Sequence, residues 1–397
     1  MREVCRFTID AVAVVLAATL MFTAFATERS AQTLDDDDFP LPAATHRMRV
    51  ETVVGGLEIP WSIVFPDPES LIISERPGRV RLIKSGKLIK KPLLTLASVE
   101  TSGENGLMGL ALHPDFARNG LVYLAYVYRN NEKKFVRVAR YRFTGTDLVA
   151  PETILDMIPA AKYHAGTRLG FGPDGKLYIT TGDARKQKNA QKLDSLSGKT
   201  LRLNDDGTIP ENNPFFGTKG ARAEIWSYGH RNAQGLAWQP GSGIMFQTEH
   251  GPSLIDGVSL FRKRTGGDEF NLVERGKNYG WAKISHKMKK SGMVSPLIEY
   301  SPAVAPASAM FYDGDAFPMF RGNFFFGALK AKALIRVVLE GAKPVAQQIL
   351  FRGEYGRIRE VAAGPDGSIY FSTSNRDGRG DKGETDDRIL RIVPDRD

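Results

Sequence analysis

The sequence predicts an all-β fold, a six-bladed β-propeller built from four-stranded antiparallel blades. Three observations carry that expectation. The unit GPDGKLYITTGD at 172–183 recurs along the chain. Its turns fall at Pro66, Pro114, Pro173, Pro240, Asp313 and Pro365, spaced by 48, 59, 67, 73 and 52 residues. Each interval has room for about four strands, and a repeat of this period signals stacked or radial units. The 40 glycines and 22 prolines also favour many turns over long helices. A β-sandwich, or two β domains with chance similarity, is the competing architecture.

The elements follow in chain order. Arg2 and Arg6 precede an apolar run from Ala11 to Phe22, then Ala24-Phe25-Ala26. A basic start, a short apolar stretch and a small-x-small site make a secretory signal peptide over 1–26, cut after Ala26. The expected location is periplasmic or secreted. Cys5, the single cysteine, leaves with the signal, so the mature chain has no disulfide. Residues 27–47, with four consecutive aspartates and two prolines, read as a flexible lead-in. The propeller domain spans 48–397. Its copies lie at 63–83, 110–128, 172–183, 236–252, 309–329 and 362–375. In each, proline presets φ for a turn and β-branched or aromatic residues follow as a strand. From Met48 onward 50 Lys and Arg face 38 Asp and Glu, a net of +12. This balance favours anionic partners. Scattered basic residues in an exported chain argue against nucleic acid and for a small polyanionic ligand.

Propellers place ligand sites where loops converge at one end of the channel, although fold alone names no chemistry. His164 lies just before the inner strand of the third unit, and Asp183 ends the same strand-turn. Together they can form a base and its orienting carboxylate, although a loop histidine is more often simply solvated. His113 sits inside a repeat turn and reads as structural, while His230 and His250 flank the fourth unit. Arg231 and Asn232 in GHRNAQGL offer a planar cation and an amide, suited to a carboxylate or polarised carbonyl. The plainer reading is a blade-entry loop tied down by hydrogen bonds. Lys330 in GALKAKALIR and the pair Arg357 and Arg359 in YGRIREV add cations. The two arginines share a strand face and are more commonly solvated. GGDEFNLVERGKNYGW at 266–281 holds Asp268 and Glu269, a weak calcium signal without regular ligand spacing.

These motifs, in this order, resemble the soluble PQQ-dependent glucose/sorbosone dehydrogenase family, the aldose sugar dehydrogenase branch above all. The resemblance covers about residues 50–394 and includes GLEIPW, GLMGLALHPDF, HAGTRLGFGPDG, EIWSYGHRNAQGL, EHGP, GGDEFNL, KNYGW and RIREV. It implies pyrroloquinoline quinone (PQQ) and calcium at the channel mouth. Arg231, Asn232, Lys330, Arg357 and Arg359 would hold the cofactor, whose three carboxylates call for charge-assisted hydrogen bonds. His164 would be the base, Asp183 its orienting carboxylate, and Arg231 would sit by the quinone oxygen that gains charge. Gly251 and Pro252 would bind calcium through main-chain carbonyls, and Glu269 and Tyr279 match a second, structural calcium site. The chain departs from the family pattern in three places. Glu104 in GENGL stands where a glutamine contacting the cofactor is usual, and a carboxylate there would repel an anion unless protonated or turned away. The loop at 182–193 differs. Residues 253–265 form an insertion between the two proposed calcium sites, where it could gate the mouth or disturb the metal geometry.

The resulting expectation is an exported quinoprotein that oxidises the anomeric carbon of aldoses to lactones, with hydride transfer to PQQ. Electrons would pass to a small redox protein or a quinone. The competing expectations are a calcium-dependent propeller lactonase and a propeller that binds a ligand or partner without catalysis. A lactonase calls for a central Asn/Asp/Glu cluster rather than the cations seen here.

Overall fold

The structure, a computed structural model, describes residues 48–256 and 265–395. The expected signal peptide and lead-in lie outside the described residues. From Met48 onward the chain forms six antiparallel sheets of four strands, the first carrying one further short strand. The innermost strands are Pro60–Asp67, Leu107–Leu112, Gly166–Phe171, Ala233–Trp238, Pro306–Phe311 and Ile358–Ala363. Each packs beside the next, and the sixth returns to the first, closing a ring. This is the six-bladed propeller that the repeat predicts. The last blade takes its outer strand from the start of the domain. Met48–Val54 pairs antiparallel with Ile389–Pro394, so the first and last described strands close the ring through backbone hydrogen bonds.

The turn signals have one shared meaning in the structure: each marks the connection from an innermost strand to the second strand of its blade. In the third blade Gly172 N–H donates to Lys176 O and Gly175 N–H to Gly172 O. Gly175, at φ +70°, takes the left-handed conformation that glycine permits without a Cβ penalty.

The second strands are not half-buried and alternating. Ser70–Glu75, Leu177–Thr181, Phe324–Ala328 and Ile369–Thr373 are buried at every residue. The reason is that both faces of a blade pack on neighbouring blades. Ile72 and Val80 of the first blade meet Val122 and Leu124 of the second. Tyr123 and Val136 of the second meet Leu177 and Leu201 of the third. Phe325 and Leu334 of the fifth meet Val361 and Phe371 of the sixth. Each such side chain stabilises the fold by roughly 1.5–3 kcal/mol, so the hydrophobic core is distributed around the ring.

The axis is braced by polar groups. Arg168 on the third inner strand donates from Nη1 to Glu360 on the sixth at 2.6 Å and to Ser62 Oγ on the first at 3.0 Å. Ser308 on the fifth donates to the other oxygen of Glu360. The guanidinium also stacks on Trp61, 4.3 Å from the ring centroid. Among the described residues no helix is long and apolar enough to cross a membrane.

Candidate active site

In an antiparallel blade, the start of the first strand and the end of the second lie at the same end of the channel. His164, Arg231, Asn232 and Arg357 stand just before inner strands. Arg76, Asp183, His250 and Asp377 stand just after second strands. Blade geometry therefore gathers residues from distant parts of the chain at one mouth.

His164 sits at its centre, 2% exposed. Its backbone is left-handed, with φ +59°, which an L-residue adopts only under constraint. Two contacts hold it there. Its N–H donates to Glu104 Oε2 at 3.1 Å, and its carbonyl accepts from Ala184 N–H at 3.1 Å. The adjoining chain must be glycine at 182, because a Cβ there would come within 1.9 Å of the His164 carbonyl oxygen.

The ring is held from both sides. Nδ1 lies 2.8 Å from Asp183 Oδ1, and Nε2 lies 3.0 Å from Nη2 of Arg231. A guanidinium only donates, so Nε2 is the acceptor and Nδ1 carries the hydrogen. Asp183 is fully buried and receives two further donors, Trp281 Nε1 on Oδ2 at 2.8 Å and Arg185 N–H on Oδ1 at 2.8 Å. These bonds fix the plane of its carboxylate.

Arg231 stacks near Trp281, 5.5 Å from the ring centroid, and donates from Nη1 to His250 O at 3.1 Å. It also pairs with Asp256, Nη2 to Oδ2 at 2.7 Å. Burial alone would raise the Asp256 carboxyl, but Arg231, with the Ser253 amide and His164, brings it below the ordinary value. Ligand atoms of His164, Asp183 and Asp256 lie within 4.8 Å of one another. That spacing would suit a metal, except that the guanidinium of Arg231 bonds both His164 and Asp256, so the cation of the cluster is already an arginine.

Beside this group is a narrow cavity of about 40 Å³ lined by Trp61, Arg76, Glu104, Asn232, His250, Arg357, Arg359, Asp377 and Arg379, with Gly103, Gly166, Gln234 and Leu329. Arg357 and Arg359 do share a face and both enter the lining. They are buried rather than solvated, and both bond Asp377 Oδ2, at 2.8 and 3.2 Å. Burial lowers Arg359 to about 10, with Asp377 opposing, so it stays charged at neutral pH. Burial likewise lowers Arg76, against the pull of Asp377 and Glu104. The Arg76 guanidinium has no hydrogen-bond or ion-pair partner among the described residues. Asn232 accepts from Gly166 N–H at 3.3 Å and Gln234 Nε2 at 3.2 Å, which orients its amide toward the same region of chain.

Glu104 is turned onto partners rather than left free. Oε2 accepts from the His164 amide and Oε1 lies 3.1 Å from Arg379 Nη1. Burial works to raise its carboxyl, yet His250, the His164 amide and Arg379 bring it below the ordinary value. Burial also lowers His250, favouring the neutral ring at neutral pH. The His164 amide and Arg379 are then the contacts that persist in holding Glu104 ionised. Lys330 is exposed and stands outside the lining, although its neighbour Leu329 belongs to it.

The donor set fits a planar polyanion. Four guanidinium groups face two carboxylates in the lining, one guanidinium is unpartnered among the described residues, and Trp61 adds an aromatic face. The donors for calcium are of the right type at one site. Gly251 and Pro252 are buried, and no described residue donates a hydrogen bond to their carbonyl oxygens. The Gly251 N–H is fixed by Asp268 Oδ1 at 2.7 Å. At the second site Glu269 lies opposite Glu249 on the neighbouring strand. Burial, then Glu249, push the Glu269 carboxyl well above its ordinary value, the strain that a bound cation would relieve. The Tyr279 hydroxyl is already engaged, donating to Leu272 O at 2.6 Å and accepting from Glu274 N–H at 2.9 Å. Only its main chain is free to serve a metal.

Sequence reasoning missed Arg76, Trp281, Arg379, Asp377 and Asp256. Arg76 was reachable in principle, because it follows the second strand of its blade as Asp183 follows that of the third. The others lie in irregular segments and carry no periodic signal. Of the insertion, residues 253–256 are described, with a short 3-10 turn at Leu254–Asp256, while 257–264 lie outside the described residues.

Comparison with known proteins follows the same direction. A family model described as Glucose / Sorbosone dehydrogenase matches residues 57–390. Aldose sugar dehydrogenase YliI of Escherichia coli is 34% identical over 355 residues, 85% of this chain and 92% of that protein. The solved PQQ-bound form of aldose sugar dehydrogenase from Streptomyces coelicolor is 33% identical, covers 88% of this chain and 99% of its own, and has a TM-score of 0.75. The apo-form of the soluble E. coli aldose sugar dehydrogenase is 32% identical, covers 88% of this chain and 100% of its own, and has a TM-score of 0.79.

Proposed function

The chain belongs to the glucose/sorbosone dehydrogenase family of sugar oxidoreductases, and we propose that it is an exported PQQ- and calcium-dependent dehydrogenase oxidising aldoses to lactones. The observation that carries this reading is the acceptor Nε2 of His164, backed by Asp183 and set beside a cavity rich in guanidinium groups.

PQQ, when bound, supplies the acceptor for the hydrogen and two electrons that leave the anomeric carbon. Arg76, Arg357, Arg359 and Arg379 would hold its carboxylates, with Asn232 alongside and Lys330 at the rim. The Gly251 and Pro252 carbonyls would hold calcium near it, and Glu269 with the Tyr279 main chain would hold a second, structural ion. His164 takes the proton of the anomeric hydroxyl at Nε2. Asp183 balances the imidazolium that results, and Trp281 and the Arg185 amide keep that carboxylate aligned. Arg231 must withdraw Nη2 from Nε2 for the substrate hydroxyl to enter, which frees a donor for oxygen that gains charge.

Arg2, Arg6, the apolar run 11–22 and Ala24–Ala26 support export. The electron acceptor would then be a small redox protein or a quinone. The test is to give apoprotein PQQ and calcium, add a panel of aldoses and follow an artificial electron acceptor. Sugar-dependent reduction that disappears on chelation is expected. Stoichiometric PQQ binding without turnover on any aldose would overturn the substrate assignment.

A further inference from the structure

The segment after Pro252 folds back across Arg231. One oxygen, Oδ2 of Asp256, receives Arg231 Nη2 at 2.7 Å, Arg231 Nε at 3.2 Å, Ser253 N–H at 2.8 Å and Ser253 Oγ at 3.4 Å. The same Nη2 reaches Ser253 Oγ at 3.1 Å and His164 Nε2 at 3.0 Å. That nitrogen carries two hydrogens, so three acceptors compete for them. The turn bearing Asp256 is held from a second side. Arg185 Nη2 donates to Ile255 O at 2.9 Å, and Gln187 Nε2 to Asp256 O at 3.0 Å. Two stretches where this sequence departs from the family pattern, 182–193 and the described residues 253–256, thus meet each other beside Arg231.

We propose that Asp256 is a positioning residue of this site: it holds the guanidinium of Arg231 on the Nε2 side of His164 and supplies its counter-charge, so that an anionic ligand must displace a carboxylate already in place. The Asp256 side chain is 5% exposed, and its pairing with Arg231 is therefore little weakened by solvent. The charges facing His164 are Asp183 at Nδ1, Arg231 at Nε2, Glu104 at the main-chain amide and Asp256 behind Arg231. Neutralising Asp256 leaves Arg231 uncompensated against the ring, which makes protonation of His164 harder. It also removes one negative charge from the approach of a polyanion. The second consequence rests on the proposed function, and the first does not.

Two measurements test it. The first is an NMR titration of His164 in the apoprotein, its resonance assigned with His164→Gln. In Asp256→Asn the midpoint should fall by about one pH unit, and Asp256→Glu should restore most of it. Asp256→Ser provides a second neutral variant should the first fold poorly. The second measurement is a PQQ titration by absorbance and calorimetry. Asp256→Asn should bind about tenfold more tightly at low salt, with the gain shrinking as salt rises. An unchanged His164 midpoint in the neutral variants overturns the positioning role, whether or not the protein binds PQQ. Unchanged affinity in a protein that does bind PQQ overturns the counter-charge. Failure of the wild-type chain to bind PQQ counts instead against the proposed function, and leaves the first measurement decisive for Asp256.

Discussion

Arg231 donates to Nε2 of His164 at 3.0 Å across 67 residues of sequence. This contact, with Asp183 on Nδ1, fixes which imidazole nitrogen accepts a proton. In the proposed reaction it makes Arg231 the group that a substrate hydroxyl would displace. In the proposed function the His164 ring would be a base held ready and covered at once.

His164→Ala should lower kcat by about a hundredfold to ten-thousandfold, the ordinary contribution of a positioned base. PQQ affinity, read by calorimetry, should stay within about twofold, because the cationic lining is untouched. A variant that keeps wild-type turnover would remove His164 from the mechanism.

Arg76→Gln should weaken PQQ binding by about tenfold or more, and the loss should be smaller at high salt. Arg76 is half-buried and unpartnered among the described residues, so a ligand carboxylate can bond it without breaking an existing pair. Lys330→Gln should change affinity less, because an exposed ammonium is screened by water. The reverse order of effects would show that the exposed lysine, and not the half-buried arginine, meets the cofactor.

Arg168→Met should destabilise the fold by about 3–5 kcal/mol, since it strands the buried Glu360 carboxylate at the propeller axis. Adding Glu360→Gln should recover a large part of that loss. Urea unfolding of the two single variants and the double variant measures the coupling. Purely additive losses would show that the pair does not act as a unit.

Lys199 gives a pH-dependent expectation. It is fully buried, and its ammonium donates to the carbonyls of Asn189, Ala190 and Ser197 at 2.8, 3.1 and 2.7 Å. Burial nevertheless lowers it from 10.5 to about 7, against the pull of Asp194. Between these values the unfolded chain binds the proton more tightly than the folded one, so this group makes stability rise with pH above about 7. The slope approaches ~1 kcal/mol per pH unit within that window. Lys199→Met should flatten it while lowering stability overall, because three buried carbonyls lose their donor. Denaturant unfolding at pH 7, 8 and 9 makes the comparison. An identical pH slope in both proteins would show that the three carbonyls hold Lys199 protonated throughout.

Much of the fold was legible because turns are local. Pro173, Asp174 and Gly175 specify their own conformation, and six such signals at blade-length intervals leave few architectures. How deeply each strand is buried was not legible in the same way. Leu177–Thr181 is buried at every position because each blade is packed on both faces, a condition set by neighbours far away in sequence.

The sequence by itself determined the number of blades, the inner turns, and that His164 and Asp183 lie at the same end of one strand pair. Those follow from local turn chemistry and from the antiparallel return of a single blade. Tertiary structure alone decided the rest. It set Trp281 on Asp183 across 98 residues, Arg168 on Glu360 across 192, and Asp256 on Arg231. It left Lys330 exposed and brought Arg76, Arg357 and Arg359 into one lining. The physical reason is ring closure. Which charged groups become buried partners depends on which loops converge at the mouth, and no periodicity along the chain records that convergence.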